Sequence, residues 1–255
     1  MSAVHLFRNG PIAELRLDNP ARMNAFTLQM LDQLAAHLEL VERDPQVRAV
    51  MVTATGHRAF CTGADINGWG DLGPTEFARH WVRDGHRIFD RLARLSKPTL
   101  AVVSGHAFGG GLELAAACDL RVMAPGACLA LPEPGVGIVP GWSGTQRLLR
   151  LLPESVVKEM ALFGHRINAD RALAFGFVAA VAEDPYAAAM ALLDRAITLS
   201  PRAVEIAKSM IHAAAGEDRA AMIEALGSAA IAASDDRAEG VAAFREKRKP
   251  QFSGR

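Results

Sequence analysis

The stretch PTLAVVSGHAFGGGLELAAACDL, residues 98–120, sets a β-branched run, a glycine cluster and a small-residue helical run in direct succession. PTLAVVSG reads as a strand that Gly105 ends. Gly109, Gly110 and Gly111 follow, and a helix is predicted from about Gly111 to Cys118. Strand, glycine turn and helix in that order make the first part of the chain α/β, with mostly parallel-type connections. Glu113 sits just after the glycines, among small and apolar residues. A charge placed there is costly unless it is paired or has work to do. A strand that turns through glycine into a helix leaves unpaired N–H groups at the helix start, and the helix dipole adds to them. Glycine lets a substrate approach that backbone, so the turn suits a carbonyl oxygen that becomes negative. Simple tight-turn geometry accounts for the same glycines.

Working outward, Ile12 to Leu17 alternates, with Ala13, Leu15 and Leu17 on one side, and reads as a half-buried strand. Leu28, Leu31, Leu34, Ala35, Leu38 and Val41 recur at helical spacing. VRAVMVTATG, residues 47–56, is a second strand ended by Gly56. A Gly-rich loop, NGWGDLGP from residue 67, precedes a helix through Phe77, Trp81, Ile88 and Leu92. LRVMA and CLALPEP are short strands around Pro125-Gly126, and another helix begins near Thr145. Beyond Pro153 the chain is rich in Ala, Leu, Arg and Glu and reads as several helices.

Composition excludes several classes. Lys plus Arg and Asp plus Glu are equal at 28 each, which leaves no footprint for nucleic acid or an anionic membrane. REKRKP, residues 245–250, is the one basic cluster; it reads as a solvated helix end or a local anion site. Cys61, Cys118 and Cys128 form no CxxC pair and read as reduced core thiols. The start, MSAVHLFRNG, lacks signal-peptide character, and no apolar run reaches membrane length, so a cytoplasmic protein is expected. The eight histidines lack ligand spacing, so no metal is expected. GVGIVPG, residues 135–141, is one residue too long for a dinucleotide turn and is interrupted by Pro140. GWSGT around Ser143 has the wrong spacing for a serine hydrolase. His106 reads as a packing or hydrogen-bonding residue.

Two further features stand beside Glu113. A second Gly-bounded turn, RAFCTGADI at residues 58–66, offers another N–H. A second carboxylate, Glu133, lies between Pro132 and Pro134 at the end of an apolar strand. Two glutamates in apolar settings beside Gly-rich turns suit paired acid/base work. Two unrelated glutamates, surface or salt-bridged, fit the residues as well.

NPARMNAF, RAFCTGADI, SKPTLAVVSGHAFGGGLELAAACDLRV and LPEPGVGIVPGWSGTQRLLR together resemble the crotonase superfamily, and within it the enoyl-CoA hydratase/isomerase family. INADRALAFGFV and EGVAAFREKRKPQF extend the resemblance, in order, over essentially the whole chain. It implies the ClpP/crotonase-like fold: a spiral of β-β-α repeats, here residues 1–195, then a helical region, 196–255, for trimerisation and closure of the CoA site. It implies a coenzyme A thioester as substrate and no separate cofactor, with a homotrimer or dimer of trimers as the assembly. The oxyanion hole would be the amides of Ala64 and Gly110. Glu113 and Glu133 match the two hydratase glutamates, and Gly141 matches the amide that helps hold the water. Asp65 and Ile66 would lie along the adenine, and Phe244 and Lys247 on a final helix that reaches the CoA. The expected activity is hydration of a 2-enoyl-CoA. Double-bond isomerisation or another acyl-CoA reaction is the alternative, and a non-catalytic RNA-binding relative comes after those. There are departures. Asn67 replaces a frequent lysine, and Ala21 a frequent basic residue with Arg22 beside it, so phosphate binding differs in detail. Trp142 stands where many hydratases have alanine and, with Trp69 and Trp81, bears on the acyl pocket or on packing.

Overall fold

The computed structural model describes residues 2–217 and 219–255, which form two compact units, Met1–Val204 and Glu205–Arg255. The first unit opens with an antiparallel pair, β1 (Ala3–Asn9) and β2 (Ile12–Asp18), and then α1 (Leu28–Arg43). Thr27 caps α1 by accepting the Met30 N–H, and the apolar stripe read from the sequence is buried at Met30, Leu31, Leu34, Leu38 and Val41.

A unit of two strands and a helical passage then repeats. First come β3 (Ala49–Ala54) and β4 (Ala59–Cys61). They lead through α2 (Pro74–Glu76) and a π-helical stretch, Phe77–Val82, into α3 (Arg83–Ala93). Next come β5 (Thr99–Val103), β6 (His106–Phe108) and α4 (Gly110–Ala117). The third repeat is β7 (Leu120–Met123), β8 (Cys128–Ala130), a 3₁₀ turn at Glu133–Val136, α5 (Gly144–Leu151) and α6 (Glu154–Phe163). Then β9 (Ile167–Asn168), α7 (Ala169–Ala174), β10 (Ala180–Val181) and α8 (Pro185–Ala196) follow. Each repeat sends one strand to each of two sheets, ordered β1-β2-β3-β5-β7-β10 and β4-β6-β8-β9. Pairing from β2 through β10 in the first sheet is parallel. This is the spiral that the resemblance implied.

Alternation within the first sheet divides its side chains between two cores. Ala13, Leu15, Leu17, Val50, Val52, Ala101 and Val103 join the large core with α1, α3 and α4. Ile12, Ala49, Met51, Leu100, Val102 and Val122 face the other way, onto Ala189 and Leu193 of α8. β2 follows the alternation read from its sequence: Ala13, Leu15 and Leu17 are buried, and on the other face Ile12 and Glu14 are covered while Arg16 and Asp18 stay partly exposed. The covered end meets α8, more than 160 residues away along the chain, where Ile12 packs with Ala189 and Leu193 and Tyr186 donates to Glu14. Double coverage also explains the unbroken apolar runs of β3 and β5.

The second unit contains the rest of α9 (Pro201–Ala214), then α10 (Arg219–Ala232) and α11 (Asp235–Glu246). Arg248 grips Glu239 with two N–H donors, tying the last turn of chain to α11. The described residues of α10 include none that is buried, although most are apolar.

Glycine brings α4 onto β4. A Cβ at Gly111 would stand 2.0 Å from the Cys61 carbonyl oxygen, a rigid backbone atom. Gly111→Ala is therefore expected to force the two apart and cost about 2–3 kcal/mol, a fall of about 5–10 °C in melting temperature. Gly126→Ala, where a Cβ meets nothing within 4 Å, should leave the melting temperature within about 1–2 °C of the parent. Equal melting by the two variants would refute this account of the packing.

Candidate active site

The strand ends and helix starts of successive repeats meet around a cavity of about 160 Å³. Ala64, Ile66, Trp69, Gly110, Glu113, Glu133, Gly141 and Trp142 all line it, so most residues singled out from the sequence come together. Arg22 and Asp65 lie beside it as an ion pair, Nη1 to Oδ2 at 2.9 Å. Asn67 also donates to Asp65, through its backbone and its side chain. Phe244, on α11, and Lys247, its left-handed C-cap, belong to the second unit.

The amide of Gly110 is the first of α4, and the helix has no carbonyl for it. Two glycines leave it bare. Gly109 holds φ +51 before it, and a Cβ on Gly63, at φ +104, would come within 3.3 Å of the Gly110 nitrogen. Ala64 follows Gly63 and forms a parallel bridge with Phe26. Its neighbours carry the bonds: Phe26 donates to the Gly63 carbonyl and Asp65 donates to the Phe26 carbonyl, both at 2.8 Å. Phe26 is anchored in turn by buried asparagines. Asn24 donates to the Thr55 and Ala59 carbonyls, and Asn19 to that of Ala25. The NPARMNAF segment is thus the frame of the turn at Ala64, a role its sequence did not disclose.

Glu113 is 2% exposed. Its Oε1 accepts two backbone N–H bonds, from Trp142 and Gly144, each 2.8 Å long. Gly144 must be glycine, since a Cβ there would lie 2.6 Å from the Glu113 Cγ. Burial pushes the Glu113 carboxyl up from its ordinary range, and the two N–H groups and the Arg147 charge offset only part of that rise. Arg147 is itself buried and donates to Asp90 at 2.8 Å. Glu133 differs. Its Oε2 is buried with no hydrogen-bond partner among the described residues. Burial and the Glu113 charge push its carboxyl up to about 7. Its Oε1 stands over Gly109, where a Cβ would come within 2.7 Å.

An aromatic cluster backs the cavity. Trp142 packs against Phe26, Phe89 and Trp81 with ring centroids 5.1 to 6.0 Å apart. Its indole N–H donates to the Trp81 carbonyl in the π-helical stretch. Gly85 makes room, since a Cβ there would overlap the indole at 2.2 Å. His106 accepts the Cys128 N–H, so it is the hydrogen-bonding residue expected. No group of His, Cys, Asp and Glu among the described residues has metal-site geometry. Sequence reasoning missed the Trp142 and Gly144 amides, Arg147, and the frame asparagines. Gly144, beside Ser143, was the one local signal for the amide pair.

Comparison with known proteins identifies relatives along the whole chain. A family model described as enoyl-CoA hydratase/isomerase matches residues 8–255. The chain is 36% identical over 247 residues to a probable mitochondrial enoyl-CoA hydratase 2 of Arabidopsis thaliana, covering 95% of this chain and 82% of that protein. It is 36% identical over 249 residues to a crotonyl-CoA hydratase of Syntrophomonas wolfei, covering 94% of each. Among solved structures, an enoyl-CoA hydratase of Bacillus anthracis superposes with a TM-score of 0.80 at 30% identity over 99% of both chains. The cavity with its two glutamates thus sits in a fold and a sequence shared along the whole chain, and the protein belongs to the enoyl-CoA hydratase/isomerase family.

Proposed function

We propose that the protein is an enoyl-CoA hydratase, adding water across the double bond of a 2-enoyl-CoA thioester to give a 3-hydroxyacyl-CoA. The observation that carries this is the pair of buried glutamates on one cavity, opposite in their hydrogen bonding, beside the bared Gly110 amide. Donors favour a charged carboxylate, and Glu113 has two; Glu133 Oε2 has none and suits the protonated form.

The thioester oxygen sits between the Ala64 and Gly110 amides, which stabilise it as it becomes enolate-like. Water lies between the carboxyls, with the Gly141 amide helping to hold it. Glu113 takes a proton from the water as its oxygen bonds to the β-carbon. Glu133 gives its proton to the α-carbon. Glu113 then holds the proton that Glu133 has lost, and transfer between them through the next water resets the pair. The two titrate as a coupled pair. No cofactor is required, since coenzyme A is part of the substrate.

Trp69 and Trp142 border the acyl group, Asp65 and Ile66 the adenine, with Arg22 holding Asp65. Phe244 and Lys247 serve the CoA from α11, Lys247 meeting a phosphate. The assembly proposed is a homotrimer or a dimer of trimers. Its support is the exposed apolar set Met210, Ile211, Ile223, Ile231 and Phe244 in the second unit. No described helix is long and apolar enough to cross a membrane, and the cytoplasm is the proposed location.

The direct test follows loss of enoyl absorbance with crotonyl-CoA and longer or branched enoyl-CoA thioesters. Glu113→Gln and Glu133→Gln should each fold and each lose at least about a hundredfold in kcat. Near-normal hydration by either would sink the two-glutamate mechanism; hydration lost with isomerisation retained would point to an isomerase. Lys247→Ala should raise KM several-fold and leave kcat nearly unchanged, since a remote phosphate contact holds ground and transition states alike.

Stability should also report Glu133. Its carboxyl is at about 7 when folded, against an ordinary value of 4.5, so between those values the folded chain binds more protons than the unfolded one. The stability it contributes is full below the unfolded value and is lost as pH rises through about 7. Relative to the parent, Glu133→Gln should therefore gain up to about 3 kcal/mol between pH 4.5 and pH 8 in denaturant titrations. A difference that does not change with pH would show that Glu133 is not held protonated.

A further inference from the structure

The turn that carries the two amides on Glu113 reads Gly141-Trp142-Ser143-Gly144. Its middle position, between the two donors, is Ser143 with φ +74 and ψ +17, a left-handed conformation. Glycine is the default residue there, and an L side chain is strained. The chain uses glycine on either side of Trp142-Ser143 and at Gly109 and Gly63, yet not at this position. What the serine brings is a hydroxyl. Ser143 Oγ lies 2.6 Å from Nδ1 of His86, on the surface of α3.

We propose that Ser143 and His86 are a positioning pair, a hydrogen-bonded latch that holds the left-handed residue and so keeps the Trp142 and Gly144 amides together on Glu113. The idea rests on the hydratase reading for its kinetic consequence, though not for its geometry. If the turn relaxes toward right-handed backbone, both N–H vectors swing, and Oε1 loses the donors that orient the carboxylate. The latch is local. Two other contacts brace the same region, the Trp81 carbonyl of the π-helical stretch on the Trp142 indole and Asp90 of α3 on Arg147 of α5, and these remain when His86 is changed. His86 and Asp90 are one helical turn apart, so a single face of α3 sets both the turn and the start of α5.

Ser143 is not a nucleophile in this arrangement. It is 7% exposed, and the cavity is lined by Gly141 and Trp142 but not by Ser143. Its hydroxyl points to α3. A side chain near the chemistry that never touches substrate acts through the backbone it holds.

The distinguishing experiment compares His86→Ala, Ser143→Ala, Ser143→Gly and the double variant His86→Ala/Ser143→Gly. Crotonyl-CoA hydration is measured, together with hydrogen exchange of peptides spanning residues 140–146. Loss of the latch should lower kcat about five- to tenfold in His86→Ala and Ser143→Ala, with KM within about twofold. Ser143→Gly should lose only about twofold, because glycine adopts the left-handed conformation without a partner. The decisive expectation is suppression: adding Ser143→Gly to His86→Ala should recover most of the lost kcat. Exchange at 140–146 should quicken in His86→Ala and slow again in the double variant. Wild-type kcat and exchange in His86→Ala would overturn the proposal, as would absence of suppression. A rise in KM at constant kcat would overturn it in favour of a substrate contact. Release of free CoA that depends on Ser143 would overturn it in favour of a nucleophile. If the parent hydrates none of the thioesters, the hydratase reading fails, and the exchange comparison alone decides the latch.

Discussion

The carboxylate of Glu113 is buried in a helix of alanine, leucine and glycine, and much of the site follows from that one cost. A charge removed from water must be given hydrogen bonds, or it will take up a proton. The chain supplies two backbone N–H groups and a buried arginine, all from the 142–147 segment of the next repeat. That requirement fixes the position of α5 relative to α4. It makes glycine obligatory at 144, where any Cβ would strike the glutamate. It also requires a scaffold behind the turn, which the Trp142 cluster and the polar face of α3 provide.

The spiral makes this arrangement possible. Each repeat ends a strand of the smaller sheet and starts a helical segment near the cavity. Bared amides from one repeat therefore lie beside a carboxyl from another. Gly63, Gly109 and Gly110 come from two repeats, and Gly63 serves the amide of the other. The inverse arrangement holds at Glu133, which has neighbours but no donor on its outer oxygen. Burial raises both carboxyls; the two N–H groups aimed at Glu113 offset part of that rise, while Glu133 is pushed up to about 7.

Much of this was legible in the sequence because it is local. The strand, glycine turn and helix at residues 98–120 follow from β-branching, a glycine cluster and small-residue spacing, all within 23 residues. The Gly-bounded turn RAFCTGADI, residues 58–66, and Glu133 between Pro132 and Pro134 are local features of the same kind. The stripe of α1 needed only periodicity. Motifs this distinctive also carried the resemblance to the family, and with it the expected spiral.

Contacts decided by tertiary structure could not be read this way. Ile12 stands on the far face of β2 from Ala13, Leu15 and Leu17, and α8 covers it through Ala189 and Leu193. Nothing near residue 12 encodes a helix at residue 185. The amides that hold Glu113 belong to residues 29 and 31 positions downstream, and an amide has no side-chain signature. Asn19 and Asn24 resemble turn residues in sequence, and only folding makes them the frame of Ala64. Sequence by itself determined which residues are able to carry the chemistry: two glutamates, and glycines that permit close approach. Tertiary structure alone decided that one oxygen of Glu113 receives two amides while Glu133 Oε2 has no partner among the described residues, because that difference lies in the direction of backbone N–H groups from distant turns.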